Sequence, residues 1–242
     1  MTATARESSL RGKTALITGA GQGIGLALAR ALATEGCQLI LSGRNVSKLQ
    51  TVAKTLEGVR VLTVACDVRD SSQVQAMCAA VGKDFGSLDI LINNAGIAHA
   101  NAPVSKLPYA DWKDVVDTNL NGLFLVTQAA LPLLKAGSAI VNNLSIAAKR
   151  AFPGASAYAA SKHGGLGFTK TLREELRPQG IRVIALLPGA ADTDIWNSFS
   201  LPLSRQKMMS VETVAQAVVN ALTVPPESTV EELVIMPSAG VL

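Results

Sequence analysis

The sequence predicts an α/β fold, a doubly wound parallel sheet of seven strands with helices on both faces. Seven short apolar runs recur along the 242 residues, separated by segments of helical period. Each run is nearly continuous in apolar character, the pattern of strands covered on both faces, not the alternation of a half-exposed sheet. A glycine cluster follows the first run and leads straight into a helix, the junction at which such sheets hold ligands.

The expected strands are residues 14–18, 38–42, 60–65, 88–92, 139–143, 182–187 and 232–236. The first intervening helix, 24–34, carries Ile24, Leu28, Ala31 and Leu32 on one stripe, and Gly36 stands where a left-handed residue ends it. No Gly/Ser- or Pro-rich linker interrupts the alternation, so residues 1–242 are expected to form one domain, with 1–11 as a flexible tail. Hydrophobic residues make up 48% of the chain against 17% charged, which suits strands buried twice over.

Composition narrows the function. The net charge of +4 is spread over scattered Lys and Arg residues, with few aromatics to stack bases. This argues against nucleic acid and for a mild field attracting a phosphorylated small molecule. The polar start has no signal-peptide core. The most apolar window, 123–134, is short for a membrane span and contains Thr127, Gln128 and Pro132. Cys37, Cys66 and Cys78 form no CxxC pair and read as reduced thiols of a cytoplasmic protein. Two histidines, His99 and His163, leave little for a metal site.

The loop Thr18-Gly19-Ala20-Gly21-Gln22-Gly23-Ile24-Gly25 lies between strand and helix. Glycines there permit positive φ and close approach of a pyrophosphate, and the helix start offers free N–H groups. Gly19, Gln22, Gly23, Ile24 and Gly25 are therefore candidate dinucleotide-binding residues. The second strand ends Leu41-Ser42-Gly43-Arg44-Asn45, with no carboxylate for a ribose 2′-hydroxyl and a guanidinium suited to a 2′-phosphate. NADP(H) is expected ahead of NAD(H), unless Arg44 merely begins the next helix. Asp67, after the third strand, can accept from the adenine amine, with Val68 against the ring, or it can cap the next helix.

With these come Asn93-Asn94-Ala95-Gly96, Asn119, Ser145, Tyr158-Ala159-Ala160-Ser161-Lys162, and Pro188-Gly189 followed by Thr193. In order and spacing this set resembles the short-chain dehydrogenase/reductases, in their compact single-domain branch, over nearly the whole chain. The resemblance implies a Rossmann fold, oxidoreductase activity on a small molecule, and a catalytic set of Asn119, Ser145, Tyr158 and Lys162. It also implies cofactor contacts from Asn94, Ala95, Gly96, Tyr158, Lys162, Pro188, Gly189 and Thr193, with a further backbone contact at Ile195. A homo-oligomer, dimer or tetramer, is implied through the segments 111–134 and 157–177.

The chemistry agrees. Tyr158 and Lys162 share a helix face at i and i+4. A tyrosine of pKa about 10 is a poor base until a neighbouring ammonium favours its phenolate. Ser145 can hydrogen-bond the substrate oxygen. By resemblance Asn119 holds a water that passes protons to Lys162. Gln22 departs from the family, where many NADP-using members carry a basic residue, and the Asp-Gly-Gly tail is missing.

Substrate choice is expected from 97–107, 146–153 and 195–209. In the last, Trp196, Phe199, Leu201, Leu203 and Met208 form an apolar lid or pack on the core or a neighbouring subunit. Lys149 and Arg150 would favour an anionic or carrier-linked substrate. The leading expectation is a reductase or dehydrogenase of a small to medium apolar ketone or alcohol. A 3-oxoacyl-[acyl-carrier-protein] reductase and a non-catalytic NADP-binding regulator are the alternatives.

Overall fold

The computed structural model describes residues 9–199 and 204–240. Seven strands form one parallel sheet: β1 (Thr14–Thr18), β2 (Gln38–Gly43), β3 (Val61–Ala65), β4 (Leu88–Asn93), β5 (Leu134–Asn143), β6 (Arg182–Pro188) and β7 (Glu232–Ile235). Their order is β3-β2-β1-β4-β5-β6-β7. Winding reverses between β1 and β4, which opens a crevice at the carboxyl ends of those strands.

Alternate side chains feed two buried layers. Ile17, Leu39, Leu41, Ile92, Val141 and Leu186 face one side, against α1 (Gly23–Thr34), α2 (Val46–Ala53) and α7 (Val211–Leu222). Leu16, Ile40, Leu91, Ile140 and Val183 face the other, against α3 (Ser71–Phe85), α5 (Gly122–Ala130) and α6 (Ser156–Leu176). This double burial is why the strands read as unbroken apolar runs. Gly36 ends α1 at φ +81°, as expected. No described helix is long and apolar enough to cross a membrane.

Four details differ from the sequence reading. Leu10 is not part of a flexible tail: it is buried among the α1-side core residues, because an apolar side chain next to β1 completes that layer. Residues 1–8 lie outside the described residues. β5 begins at Leu134, with a register shift opposite Leu88 and Ile90. Asp70, not Asp67, caps α3, accepting from Ser72 N at 2.9 Å and Gln73 N at 3.2 Å. Between α4 (Tyr109–Val116) and α5, residues Asp117–Asn121 wind as a π-helix, a form that recurs at functional sites. The extra residue in that turn carries the Asn119 amide inward, where it is buried.

Gly25 shows how tightly α1 sits on the crevice: a Cβ there would lie 2.3 Å from Gly19 O and 2.5 Å from Asn94 Nδ2. Backbone cannot yield as a flexible side chain can. Gly25→Ala is therefore expected to cost about 3 kcal/mol, seen as a thermal midpoint lower by roughly 6–12 °C. An unchanged midpoint would show that the loop has slack.

Candidate active site

The crevice is a cleft of about 460 Å³. One end is built from the glycine loop. Gly19 and Gly23 adopt φ +65° and +54°, and a Cβ on Gly19 would meet the Ala95 backbone at 3.0 Å. Gln22, the residue before α1, makes no side-chain cap, and the first turn holds no acid. Gly23 and Ile24 line the cleft and α1 starts without a side-chain cap, whereas Asn45 and Asp70 cap α2 and α3. An uncapped helix start in a glycine cradle fits a pyrophosphate.

Thr18 and Asn94 fix that cradle. Thr18 Oγ1 accepts from Asn94 N at 2.9 Å and Ala95 N at 3.0 Å, while Asn94 Nδ2 donates to Thr18 O at 2.9 Å and Gly19 O at 3.1 Å. Asn143 Nδ2 donates to Asn94 Oδ1 at 2.8 Å, and Lys162 Nζ donates to Asn143 O at 3.0 Å. One polar chain therefore runs from the loop after β1 to α6.

Tyr158, Lys162 and Ser145 meet at the centre of the cleft. Lys162 is buried, its Nζ 5.5 Å from the centre of the Tyr158 ring. Ser145 lines the cleft with Tyr158 and N-caps the short helix that follows, accepting from Ala147 N at 3.0 Å. Burial pushes the Tyr158 phenol up, and the neighbouring Ser145 hydroxyl draws it partly back. Burial acts on Lys162 as well, and takes its ammonium down to about 8. His163 points away, its Nδ1 2.9 Å from Ala159 O on the exposed side of α6.

Asn119 works through the backbone. Its Oδ1 accepts from Ile97 N at 2.8 Å, and its Nδ2 donates to Ile97 O at 2.9 Å and Ser161 Oγ at 3.1 Å. Ser161 Oγ in turn donates to Tyr158 O at 2.7 Å. Gly96 leaves room for this convergence: a Cβ there would lie 3.3 Å from Asn119 Oδ1 and 3.6 Å from Lys162 Nζ.

At the outer end, Arg44, Asn45 and Lys48 line the cleft beside Gln22. Asp67 and Val68 also line it, and Arg69 grips Asp67 through Nε at 3.0 Å and Nη2 at 2.6 Å. That guanidinium holds the Asp67 carboxyl below its usual range. At the inner end Gly189 turns under Met236, where a Cβ would sit 2.8 Å from the sulfur. Thr193 leans on the loop, its Cγ2 3.2 Å from where a Gly23 Cβ would be. Thr193 and Ile195 both line the cleft.

The segment after β6 folds back as a lid. Trp196 Nε1 donates to Ala191 O at 2.8 Å, and Phe199 stands edge-on to Tyr158 with ring centres 6.0 Å apart. Trp196, Phe199 and Phe152 line the cleft, while Met208 does not. Leu201 and Leu203 lie outside the described residues. Lys149 turns away to pair with Glu232, which also binds Lys170 at 3.2 Å. Arg150 is exposed and off the cleft.

Sequence reasoning missed Thr18, Asn143, Ser161 and Lys48. The polar pair Asn142-Asn143 closing an apolar strand was a signal for Asn143, as was a lysine one turn beyond Arg44 for Lys48.

The comparisons agree with this geometry. The family model for short chain dehydrogenases matches residues 13–202. The chain belongs to this family. It is 38% identical over 235 residues to a sulfoacetaldehyde reductase 2 of Chromohalobacter salexigens, covering 92% of this chain and 93% of that protein. An alcohol dehydrogenase from Thermococcus sibiricus, complexed with 5-hydroxy-NADP, superposes with a TM-score of 0.87 at 30% identity, over 93% of this chain and 97% of its own. A 3-ketoacyl-(acyl-carrier-protein) reductase from Brucella melitensis, complexed with NADH, gives 0.86 at 31%, over 95% and 99%. This short-chain dehydrogenase is thus an oxidoreductase with a Rossmann-type sheet.

The buried lysine makes a prediction about stability. Between pH 8 and its ordinary value of 10.5, Lys162 is deprotonated in the folded chain and protonated in the unfolded one, so its contribution to stability rises with pH. Tyr158, raised in the folded state, opposes this only above about 10. The buried cysteines, also raised, act alike in wild type and variant and cancel in the difference. Lys162→Met is expected to be more stable than wild type at pH 7, by a margin that shrinks by about 2 kcal/mol on going to pH 10. Denaturant unfolding at both pH values measures it; a constant margin would mean that the ammonium is not desolvated.

Proposed function

We propose that this short-chain dehydrogenase interconverts a carbonyl and an alcohol using NADP(H), with Tyr158 as general acid and base. The observation that carries the proposal is the convergence of Ser145 and Tyr158 beside buried Lys162, in a cleft whose other end is a glycine cradle. Gly19, Gln22, Gly23, Ile24 and Gly25 hold the pyrophosphate, with Asn94, Ala95 and Gly96 as the facing wall. Arg44 faces the 2′-phosphate, Asp67 and Val68 the adenine. Pro188, Gly189, Thr193 and Ile195 flank the nicotinamide. When bound, the cofactor supplies or accepts the hydride.

The chain's own groups move the proton. Ser145 orients the substrate oxygen towards the Tyr158 hydroxyl. With its phenol raised by burial, Tyr158 is fully protonated at neutral pH and gives its proton to the carbonyl oxygen during reduction. Lys162 spends one N–H on Asn143 O; its others serve the ribose hydroxyls, and its charge offsets the phenolate left on Tyr158. Asn119 holds the Ile97 backbone and Ser161 in place around that lysine. Reduction is the favoured direction near pH 7, and oxidation gains as pH rises.

The substrate is a small or medium neutral ketone or aldehyde. Ile97, Ile146, Phe152, Trp196 and Phe199 enclose the space above Tyr158, and the one ionic group of the lid lining it, among the described residues, is Asp194. The Chromohalobacter relative is named for an aldehyde that bears a sulfonate; here Lys149 is tied to Glu232 and Arg205 to Asp192 and Asn197. Among the described residues, an anion finds no cation in this space besides Lys162. A 3-oxoacyl carrier-protein reductase is the second reading, favoured by the likeness to the Brucella enzyme.

We also propose a homo-oligomer. Tyr109, Trp112 and Phe124 are exposed on α4 and α5, and Phe124 meets Phe168 of α6 edge-on, which makes an apolar face continuous with the catalytic helix. Light scattering is expected to give a multiple of the 25.1 kDa chain mass; a monomer at micromolar concentration would refute this.

NADPH oxidation screened across neutral ketones, sulfoacetaldehyde and a 3-oxoacyl thioester tests the function. Turnover is expected on neutral ketones and with NADPH preferred over NADH by about tenfold or more. Tyr158→Phe is expected to lower kcat by about 10²–10⁴-fold while NADPH affinity holds within about threefold. Binding of NADPH with no turnover in wild type would favour a regulator, and turnover confined to the thioester would favour the second reading.

A further inference from the structure

We infer that Lys48 is a second cation for the 2′-phosphate of the cofactor's adenosine ribose, held in position by uncharged Gln22. This rests on the reading of the cleft as an NADP(H) site. Lys48 lies in the first turn of α2, where Asn45 Oδ1 accepts its backbone N–H at 3.0 Å. That cap fixes the turn so that the side chain runs back over the glycine loop: its Cβ is 3.5 Å from where a Gly21 Cβ would stand. Nζ then donates to Gln22 Oε1 at 3.1 Å.

Three features separate this lysine from an ordinary solvated one. It lines the cleft together with Arg44 and Gln22. Among the described residues neither Arg44 nor Lys48 has a carboxylate in ion-pair contact, and Asp67, the acid whose carboxyl feels Arg44, is already gripped by Arg69. An ammonium has three donors, and Gln22 takes one, which leaves two for an acceptor between Lys48 and Arg44. A dianionic phosphate monoester suits that gap: Arg44 offers a planar fork and Lys48 a compact charge. Gln22 does the positioning that a charged loop residue would do by binding directly.

Calorimetric titration of the full chain with 2′,5′-ADP and with 5′-ADP tests this. Wild type is expected to bind 2′,5′-ADP more tightly by about tenfold or more. Lys48→Met should weaken 2′,5′-ADP by about tenfold and 5′-ADP by no more than about twofold, with Lys48→Arg recovering most of the loss. If wild type shows no preference for the 2′-phosphate, the NADP reading itself fails. If wild type has the preference and Lys48→Met keeps it, Arg44 acts alone and Lys48 is overturned. Equal weakening of both ligands would make Lys48 a brace for the loop and would also overturn it.

Discussion

The site depends on a buried ammonium that has, among the described residues, one protein acceptor. Lys162 Nζ has the Asn143 carbonyl at 3.0 Å, and no group of opposite charge pairs with it among the described residues. An ion in that position raises the free energy of the fold unless other groups share its charge. The arrangement around it follows from this. Asn143 must present its carbonyl, so its amide is tied to Asn94; Asn94 must stay, so it is tied to Thr18 and Gly19. The demand of one buried charge is thereby passed across β5, β4 and β1 to the glycine loop.

Close backbone approach is the second condition. Gly25 admits α1 to the loop, Gly96 admits Asn119 and Lys162 to one another, and Gly189 passes under Met236. At each a Cβ would displace backbone or a confined side chain. The π-helical turn belongs to the same set, since it turns Asn119 towards Ile97 and Ser161 without a break between α4 and α5. Sheet, loops and helices are thus adjusted to bring polar groups together at the carboxyl edge, where the uncapped start of α1 already lies.

The sheet was legible because double burial leaves a signature that needs no partner information: Leu39, Ile40 and Leu41 must all be apolar when layers cover both faces. The start of β5 was not legible, because exposed Lys135 and Ala136 carry no such signature and join the strand only through pairing beside Leu88. Leu10 was misread for a similar reason: a lone leucine after a polar stretch has no period. Asp70 could have been chosen over Asp67 from the sequence, since Gln73 stands three residues on, and its Nε2 does reach back to Asp70 at 2.9 Å. Asn119, Ser145, Tyr158 and Lys162 stood out by type and spacing, and the cleft brings Ser145, Tyr158 and Lys162 together. Ser161 and Asn143 did not stand out, because their part is a hydrogen bond to backbone or to another amide, which any small polar residue can make.

The two ends of the cleft differ in charge, and this bears on how a net positive protein selects its ligands. Arg44 and Lys48 gather positive charge at the end beside Gln22, while the space above Tyr158 is aromatic and aliphatic with Asp194 at its edge. Basic residues elsewhere near the opening are neutralised locally, Lys149 by Glu232 and Arg205 by Asp192. That polarity supports the proposed reading, in which the phosphorylated cofactor takes the basic end and a neutral substrate the other. The same polarity bears on Tyr158 and Lys162. A cation near Tyr158 besides Lys162 would press the lysine further towards neutrality, and an anion would hold its charge but oppose the phenolate. With an apolar substrate, as proposed, that balance is left to Ser145, Lys162 and the depth of burial, and the proton on Tyr158 would be set by the fold and not by the molecule it receives.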